Sequence, residues 1–468
     1  MRLVFISFLV FLLPNVAINL LTHIFVFDRA VINLDYVIPA LLLLFRPAWW
    51  VFTTIFMVIY VIDLFTAMAP GFHFSMSSLL ESLPYLTGII SAYTLSVAVL
   101  VLTAGTGLSV LFLYASKNEI ASPRKKMVGA AVLLIISAGA FAADKALVFP
   151  TLAEHFNVAT SASQRIAQEV LSPASAKTRP QKMRSASEGW LRALGSPGTA
   201  TGMPNTLYLF IVESWGEIKS NKLMQQRFEL FQTPYLSRNF EVETILTPFA
   251  GSTVPAELRE LCGVRYLSLH PDVDQLEKAA CLPLLAKTEG YTTHALHNYR
   301  SSFFMRFSLY PKLGFDQAHF MHEMRERLSQ TSYCGKTFRN LCDEHVPRYI
   351  RQISQTNAAK KNLYYWLTIS SHVPPEPLSP DIEATYCAMP ILQQARDLCA
   401  LEYRVEKSLT HIATFLTERA AEGENYAAIV VGDHAPPFLR LSLRELYSSS
   451  HVPAVIITPK NPNHIPMR

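Results

Sequence analysis

The chain has 468 residues, half of them hydrophobic, and a net charge of +5, with a mean hydropathy of +0.22 and an isoelectric point near 8.8. The length exceeds one ordinary domain, and a mild positive balance without a basic block or nucleic-acid module argues against nucleic-acid binding. The average conceals two populations: residues 1–150 are almost continuously apolar, while those after 205 have the composition of a soluble domain.

Leu3 to Phe27 is longer than the apolar core of a secretion signal and lacks a clean small-residue cleavage site, so it reads as a retained first span. Judged against the ~20 apolar residues that a membrane helix needs, about five spans are predicted, at 3–26, 31–45, 48–68, 85–115 and 128–149. Arg46-Pro47 forms a tight turn between the second and third; one long interrupted span there is the alternative. Lys117, Arg124, Lys125 and Lys126 make the most basic short loop, which belongs on the cytoplasmic side. Arg2 asks for the same side. Only an odd number of spans satisfies both, which places everything after residue 150 outside.

Residues 151–204 read as a polar connector, with a juxtamembrane helix at Glu154 to Leu171 and a linker of turn-forming composition from Ser172 to Pro204. From residue 205 to 468 strands and helices alternate. Thr206 to Val212, Thr292 to Leu296, Leu363 to Ile369, Tyr426 to Val431 and Val452 to Thr458 are short β-rich runs of the kind buried in a parallel sheet. A long amphipathic helix is predicted from Ile391 to Arg419. The fold class is therefore α/β: an N-terminal transmembrane helical bundle, then an α/β sandwich with a largely parallel sheet.

All six cysteines follow residue 260 and none forms a C-x-x-C pair, which disfavours a structural zinc site. Their even number, confined to the soluble part, points to disulfides and an oxidising compartment; six buried free thiols are the alternative. Short loops close most easily, so the order suggests Cys262–Cys281, Cys334–Cys342 and Cys387–Cys399.

Two predicted strands end in metal-type residues, the first at Glu213-Ser214-Trp215-Gly216 and the other at Gly432-Asp433-His434. Carboxylate oxygen and imidazole nitrogen suit Mn²⁺ or Zn²⁺. A lone strand-end Glu is more often a solvated carboxylate, and Asp-His is common by chance. Between them, Gly251-Ser252-Thr253-Val254-Pro255 opens a helix running to about Leu261, with Pro255 in its first turn. Thr253 thus sits at a helix N-terminus, where backbone N–H groups favour an alkoxide or an attached phosphoryl group. A plain N-cap is the other reading.

These three pieces together resemble the sulfatase-like branch of the alkaline-phosphatase superfamily, in particular lipoteichoic acid synthases and envelope phosphoethanolamine transferases. The resemblance covers about residues 205–460. It implies that Glu213, Thr253, Asp433 and His434 hold one divalent metal, Mn²⁺ or Zn²⁺, with Thr253 as nucleophile. The segment from His297 to Phe320 looks like the glycerol-phosphate region of the synthases, which implies that Phe304 and Arg306 contact the head group with His297 nearby. An Arg fork suits phosphate, although core packing for Phe304 and a surface salt bridge for Arg306 are alternatives. His372 resembles the family histidine that contacts phosphate and protonates the leaving oxygen. His451 resembles the late histidine of the phosphoethanolamine transferases. Two features depart from the pattern. Ala435-Pro436-Pro437 stands where many relatives have a Gly or Tyr-Gly turn, and the C-x-P-x-R signature of true sulfatases is missing, Cys281-Leu282-Pro283-Leu284-Leu285 lacking the Arg.

The resemblance implies a multi-pass protein of a bacterial cytoplasmic (inner) membrane whose periplasmic domain moves a phospholipid head group, phosphoglycerol ahead of phosphoethanolamine, through a phosphothreonine. The donor is a phospholipid and the acceptor an envelope glycan or lipid. The alternatives are a sulfatase-like phosphodiester hydrolase and a degenerate, non-catalytic envelope assembly protein.

Overall fold

Seven residues, Thr206–Val212, form strand β1, and all seven are buried. The computed structural model describes residues 2–26, 29–74, 78, 81–82, 92–118, 122–146, 159–163, 166, 180–196, 202–276, 281–335, 337–356 and 361–460. Two compact units emerge: the described residues of 1–80, 90–175 and 438–442 make the first, and those of 81–89, 176–437 and 443–468 the second.

Among the described residues the α-helices of the first unit are α1 (Arg2–Leu21), α2 (Val37–Leu44), α3 (Trp49–Met68), α4 (Ala92–Ser116) and α5 (Pro123–Ala146). Leu3, Val10, Phe11, Tyr36, Phe52, Phe56 and Phe112 share an apolar core. Among the described residues three stretches are long and apolar enough to cross a membrane, Arg2–Leu21, Trp49–Met68 and Pro123–Ala142. The expected second span is shorter than its apolar run implied. Its α-helix has 8 residues, or ~12 Å at 1.5 Å per residue, far below the ~30 Å of a bilayer core. Residues 85–91 of the expected fourth span, 85–115, lie outside the described residues. One buried ion pair marks this unit: Arg29 Nη2 reaches Asp63 Oδ2 at 2.8 Å and Asn15 Oδ1 at 2.6 Å.

Of the expected juxtamembrane helix at Glu154–Leu171 only residues 159–163 and 166 are described, and its start is corrected there: Ala159–Thr160 is a short strand paired in parallel with Ile32–Asn33. Part of the linker lies outside the described residues. One part of that linker is a helix, Glu188–Gly195. Trp190 and Leu194 lie four residues apart on one face and are both buried, a pattern that the surrounding Ser, Pro and Gly obscured.

The second unit is built on one seven-stranded sheet. Its strands are β1, β2 (Phe240–Pro248), β3 (Thr292–His297), β4 (Gln317–Phe320), β5 (Asn362–Leu367), β6 (Tyr426–Gly432) and β7 (His451–Pro459), in the order β2-β7-β6-β1-β5-β3-β4. Neighbours from β6 to β4 pair in parallel, and only β7 is reversed. The expected α/β architecture with a largely parallel sheet is what the chain adopts. Strands β1, β5 and β6 are buried along their whole length, as the centre of a sheet covered on both faces requires. Burial of each large apolar side chain contributes roughly 1.5–3 kcal/mol.

Two strands of this sheet escaped the sequence reading. The edge strand β2 reads FEVETILTP, with several charged and polar residues exposed, and β4 is only four residues long. The helices of this unit include α6 (Thr253–Cys262), α7 (Arg306–Leu313), α8 (Val346–Thr356) and α9 (Arg396–Ala421). In α9 the buried residues Leu398, Leu401, Val405, Leu409, Ile412 and Leu416 recur every three or four positions, the stripe that seats a helix on a sheet. The six cysteines pair as the short-loop order suggests, Cys262–Cys281, Cys334–Cys342 and Cys387–Cys399.

Candidate active site

Strands β1 and β6 lie side by side and parallel, so their carboxyl ends open at one edge of the sheet, where ligands of α/β folds bind. Past β1 the chain turns sharply at Ser214, which has φ +57°. Past β6 come Asp433 and His434. The two turns touch through their backbones. A Cβ on Gly432 would stand 1.9 Å from the Trp215 carbonyl oxygen, and one on Gly216 would stand 2.9 Å from Ala435 Cα; glycine alone permits both approaches. The Ser214 N–H then donates to Asp433 Oδ1 at 2.7 Å. The end of β5 completes the frame. Thr368 Oγ1 accepts the Glu213 N–H at 2.9 Å, and Ser371 Oγ donates to the Glu213 carbonyl at 2.5 Å.

Thr253 arrives from a third place. After β2 the chain passes Gly251, with φ +79°, and enters α6 with Ser252 as N-cap and Thr253 as the first helical residue. The Thr253 hydroxyl does not cap the helix. It donates to Glu213 Oε2 at 3.3 Å and lies 3.3 Å from His434 Nε2. The plain N-cap reading therefore gives way.

One donor atom each from Glu213, Asp433 and His434 gathers within 4.8 Å of the others, all three residues buried. His434 Nδ1–H donates to the Ala435 carbonyl at 2.9 Å. The neutral ring thus presents its Nε2 lone pair to Asp433 Oδ2 at 3.2 Å and Glu213 Oε1 at 3.8 Å. Asp433 Oδ2 is buried without a hydrogen-bond partner. Burial pushes the Asp433 carboxyl up to about 7 against two backbone N–H groups. Burial, then the neighbouring Asp433 charge, raises Glu213, while burial lowers His434. Two carboxylates and an imidazole nitrogen facing one another lack positive charge, and a divalent cation satisfies all three. The residues present fit such an ion.

His372 belongs to this neighbourhood. Burial lowers its pKa, and it feels the charges of Glu213 and His434. Its Nδ1–H donates to the Val373 carbonyl at 2.7 Å, and its ring packs on Phe338 with centroids 3.8 Å apart. His297, at the end of β3, is fully buried; its Nδ1 donates to the Leu367 carbonyl at 3.1 Å and its Nε2 has no partner. Burial, then the Arg306 charge, holds it well below the usual imidazole range. Arg306 is no surface salt bridge. It is 1% exposed and grips Glu257, with Nη2–Oε2 at 2.9 Å and Nε–Oε2 at 3.1 Å. Phe304 is buried with φ +51° and lies under the Arg306 guanidinium, 5.6 Å from carbon to ring centroid. His451 stands exposed as the first residue of β7, 2.9 Å from Ser450 Oγ. Among the described contacts none joins it to Glu213, Thr253, Asp433 or His434.

Sequence reading missed Glu257 and Arg259. Glu257-Leu258-Arg259-Glu260 reads like a solvated helix face, yet all ten residues of α6 are buried. The available signal was the spacing, one carboxylate a single turn beyond Thr253.

The chain belongs to the sulfatase family: the family described as Sulfatase matches residues 204–465, more than half of its length. That makes it a phosphoryl-group transferase or hydrolase of the sulfatase and alkaline-phosphatase superfamily, whose members use divalent metals. Solved structures similar to it include the lipoteichoic acid synthase LtaP from Listeria monocytogenes, 16% identical over 60% of this chain and 70% of that one, TM-score 0.43. The phosphoglycerol transferase GacH from Streptococcus pyogenes, in complex with sn-glycerol-1-phosphate, is 13% identical over 62% and 79%, TM-score 0.41. The C-terminal periplasmic domain of EcEptC from Escherichia coli, in complex with Zn, is 13% identical over 55% and 73%, TM-score 0.37. No curated protein sequence matches the chain.

Proposed function

We propose that the chain transfers the phosphoglycerol head group of an anionic phospholipid to a hydroxyl of an envelope glycan or lipid, with Thr253 as covalent nucleophile. The observation that carries this reading is the meeting of Thr253 Oγ1 with Glu213 and His434, 3.3 Å from each, at the first turn of α6. A divalent cation, Mn²⁺ or Zn²⁺, held by Glu213, Asp433 and His434 with the Thr253 oxygen, would lower the proton affinity of that hydroxyl and polarise a phosphoryl oxygen.

Deprotonated Thr253 attacks phosphorus in line with the ester oxygen of diacylglycerol. As the Thr253 O–P bond forms, the P–O bond to diacylglycerol breaks, and His372 as imidazolium gives its proton to the departing oxygen. The acceptor hydroxyl returns a proton to His372 as it attacks the phosphothreonine, and deprotonated Thr253 leaves. The N–H groups of the first turn of α6 stabilise the charge on the transferring group. Arg306, stacked against Phe304, binds the phosphate side of the head group with His297 beside it, and His451 is assigned to substrate binding. The apolar helices, in a bacterial cytoplasmic membrane with residues after 150 outside, keep the site within reach of its lipid.

The test is to incubate full-length protein, Mn²⁺ or Zn²⁺ and phosphatidylglycerol vesicles without acceptor, then quench rapidly in acid. A glycerol-phosphate mass on the Thr253 peptide, with diacylglycerol released in a burst equal to the enzyme, supports the reading. An ethanolamine-phosphate adduct formed only from phosphatidylethanolamine reassigns the donor. Steady release of head group with no burst or adduct favours a hydrolase and overturns the transfer.

A further inference from the structure

Helix α6 carries more than Thr253. Its charged residues Glu257, Arg259 and Glu260 are all buried; the first two point to different halves of the site, and neither takes part in the transfer steps. Arg259 is 1% exposed. Its Nη2 donates to the Gly432 carbonyl at 2.7 Å, its Nη1 to the Asp433 carbonyl at 3.1 Å, and its Nε to Glu260 Oε1 at 2.6 Å. One planar fork thus holds the two successive carbonyls from which the Asp433 side chain and the following His434 are hung. Glu257, fully buried, faces elsewhere. Its Oε2 accepts Arg306 Nη2 and Nε at 2.9 and 3.1 Å, and its Oε1 accepts the hydroxyls of Tyr310 and Tyr365 at 2.8 Å each, with Arg306 Nε at 3.4 Å. Two positions apart on a helix is about 200° of rotation, so the two side chains leave α6 on opposite faces.

We infer that Arg259 and Glu257 are positioning residues with separate tasks: Arg259 sets the distance between Thr253 and the cation ligands Asp433 and His434, and Glu257 sets Arg306 for the phosphate. This rests on the proposed metal and head-group assignments. The physical ground is that both ties run from the same rigid helix that presents the nucleophile. A shift of α6 against β6 would change Thr253 and the ligands relative to each other, and the fork prevents it. Lysine cannot do the same, because a point charge does not span two carbonyls in fixed geometry. Outer contacts of this kind, when lost, lower metal affinity by ~10–100-fold.

The experiment uses full-length protein in detergent, stripped of metal, with Mn²⁺ and Zn²⁺ affinities measured by chelator competition. Kinetics are then read at saturating metal with phosphatidylglycerol in mixed micelles. Arg259→Lys is expected to lose at least about tenfold in metal affinity with KM for the lipid unchanged. Glu257→Gln is expected to keep wild-type metal affinity and raise KM several-fold. If Arg259→Lys does not fold, Glu260→Gln takes its place, since it loosens the guanidinium without removing it, and a smaller loss of affinity is expected. Wild-type metal affinity in the folded variant overturns the role of Arg259, and unchanged KM in Glu257→Gln overturns that of Glu257. Asp433→Ala separates this from the underlying reading. If it binds metal like wild type, the metal site itself is wrong; if it loses metal while Arg259→Lys does not, only the positioning proposal fails.

Discussion

Thr253 Oγ1 and His434 Nε2 lie 3.3 Å apart although 181 residues separate them in the chain. Neither atom has a reason to be there in a merely structural account. A hydroxyl at the start of a helix ordinarily caps it, and an imidazole at a strand end ordinarily finds a donor or solvent. Here the hydroxyl ignores the helix, and the imidazole turns its lone pair toward two carboxylates. The arrangement leaves negative charge and lone pairs converging on one point, which is the electrostatic shape of a cation site with a nucleophile beside it.

Because the Thr253 hydroxyl does not cap α6, its removal has little structural cost. Thr253→Ala is expected to change stability by less than ~1 kcal/mol while lowering turnover on the order of 10³-fold or more. Thr253→Ser keeps a hydroxyl and is expected to retain part of the activity and to form the same adduct. Thermal melts beside transfer assays decide it. Near-wild-type turnover in Thr253→Ala ends the covalent scheme.

Cation binding to the folded protein alone stabilises it, by about 2.7 kcal/mol at a hundred times Kd. Mn²⁺ or Zn²⁺ is expected to raise the Tm of wild type and to leave that of Asp433→Ala unmoved. Gly432→Ala is expected to fail differently. Its Cβ would meet the Trp215 carbonyl oxygen at 1.9 Å, so the two motif turns must separate, and both stability and the metal-dependent shift should fall. A metal-dependent rise of equal size in all three proteins would falsify this placement of the site.

The central strands were legible because a strand covered on both faces is a continuous apolar run, as in TLYLFIV from Thr206 to Val212. The edge strand β2 was not, since half its residues face outward and its Glu241, Glu243 and Thr244 read as loop. The four residues that converge at the site were legible as strand-end and helix-start positions. Their support was not. Arg259 and Glu257 sit in a segment whose charge pattern signals solvent, and only the covering of α6 on every side reveals that each charge must have a partner. For Arg306 the sequence offered phosphate contact or a surface pair, and the surface pair is excluded, since the side chain is buried, paired with Glu257 and stacked on Phe304.

The disulfides give a direct chemical check. Peptide mapping without reductant is expected to return Cys262–Cys281, Cys334–Cys342 and Cys387–Cys399. Replacing both Cys262 and Cys281 by Ser releases the C-terminal end of α6 and opens a loop of 19 residues, which costs on the order of 3 kcal/mol. The Tm should fall accordingly. Six thiols that alkylate in the native protein would contradict both the pairing and the oxidising compartment.

Acid sensitivity should come in part from a histidine pair outside the site. His319 Nε2 lies 3.3 Å from His294 Nδ1, and its Nδ1 lies 3.0 Å from the Tyr349 hydroxyl on α8. Burial, then the His294 ring, pushes His319 down to about 4 from an ordinary 6.5. The unfolded chain therefore binds a proton at pH 5 that the folded chain refuses. Stability from this group is complete above about 6.5 and is lost as pH falls toward 4, on the order of 3 kcal/mol in all. His319→Gln should lose less Tm than wild type between pH 7 and pH 5. Equal losses would show that His319 does not set the acid limb.

His372 is tested by the leaving group. Its Nδ1–H is committed to the Val373 carbonyl at 2.7 Å, so the neutral ring carries no proton on Nε2, and the residue can protonate a departing oxygen only as imidazolium. Burial opposes that form and Glu213 favours it; an anionic phosphodiester alongside favours it further. A diacylglycerol oxygen is a poor leaving group and needs the proton, whereas a nitrophenolate leaves without one. His372→Gln is therefore expected to lower transfer from phosphatidylglycerol by ~10²–10⁴-fold and to lower cleavage of a p-nitrophenyl phosphodiester far less. Metal affinity, measured in the same preparation, should match wild type. Equal losses on the two substrates would mean that His372 holds the phosphate or the fold and does not serve as the acid, and the proton for the leaving oxygen would then have to come from water.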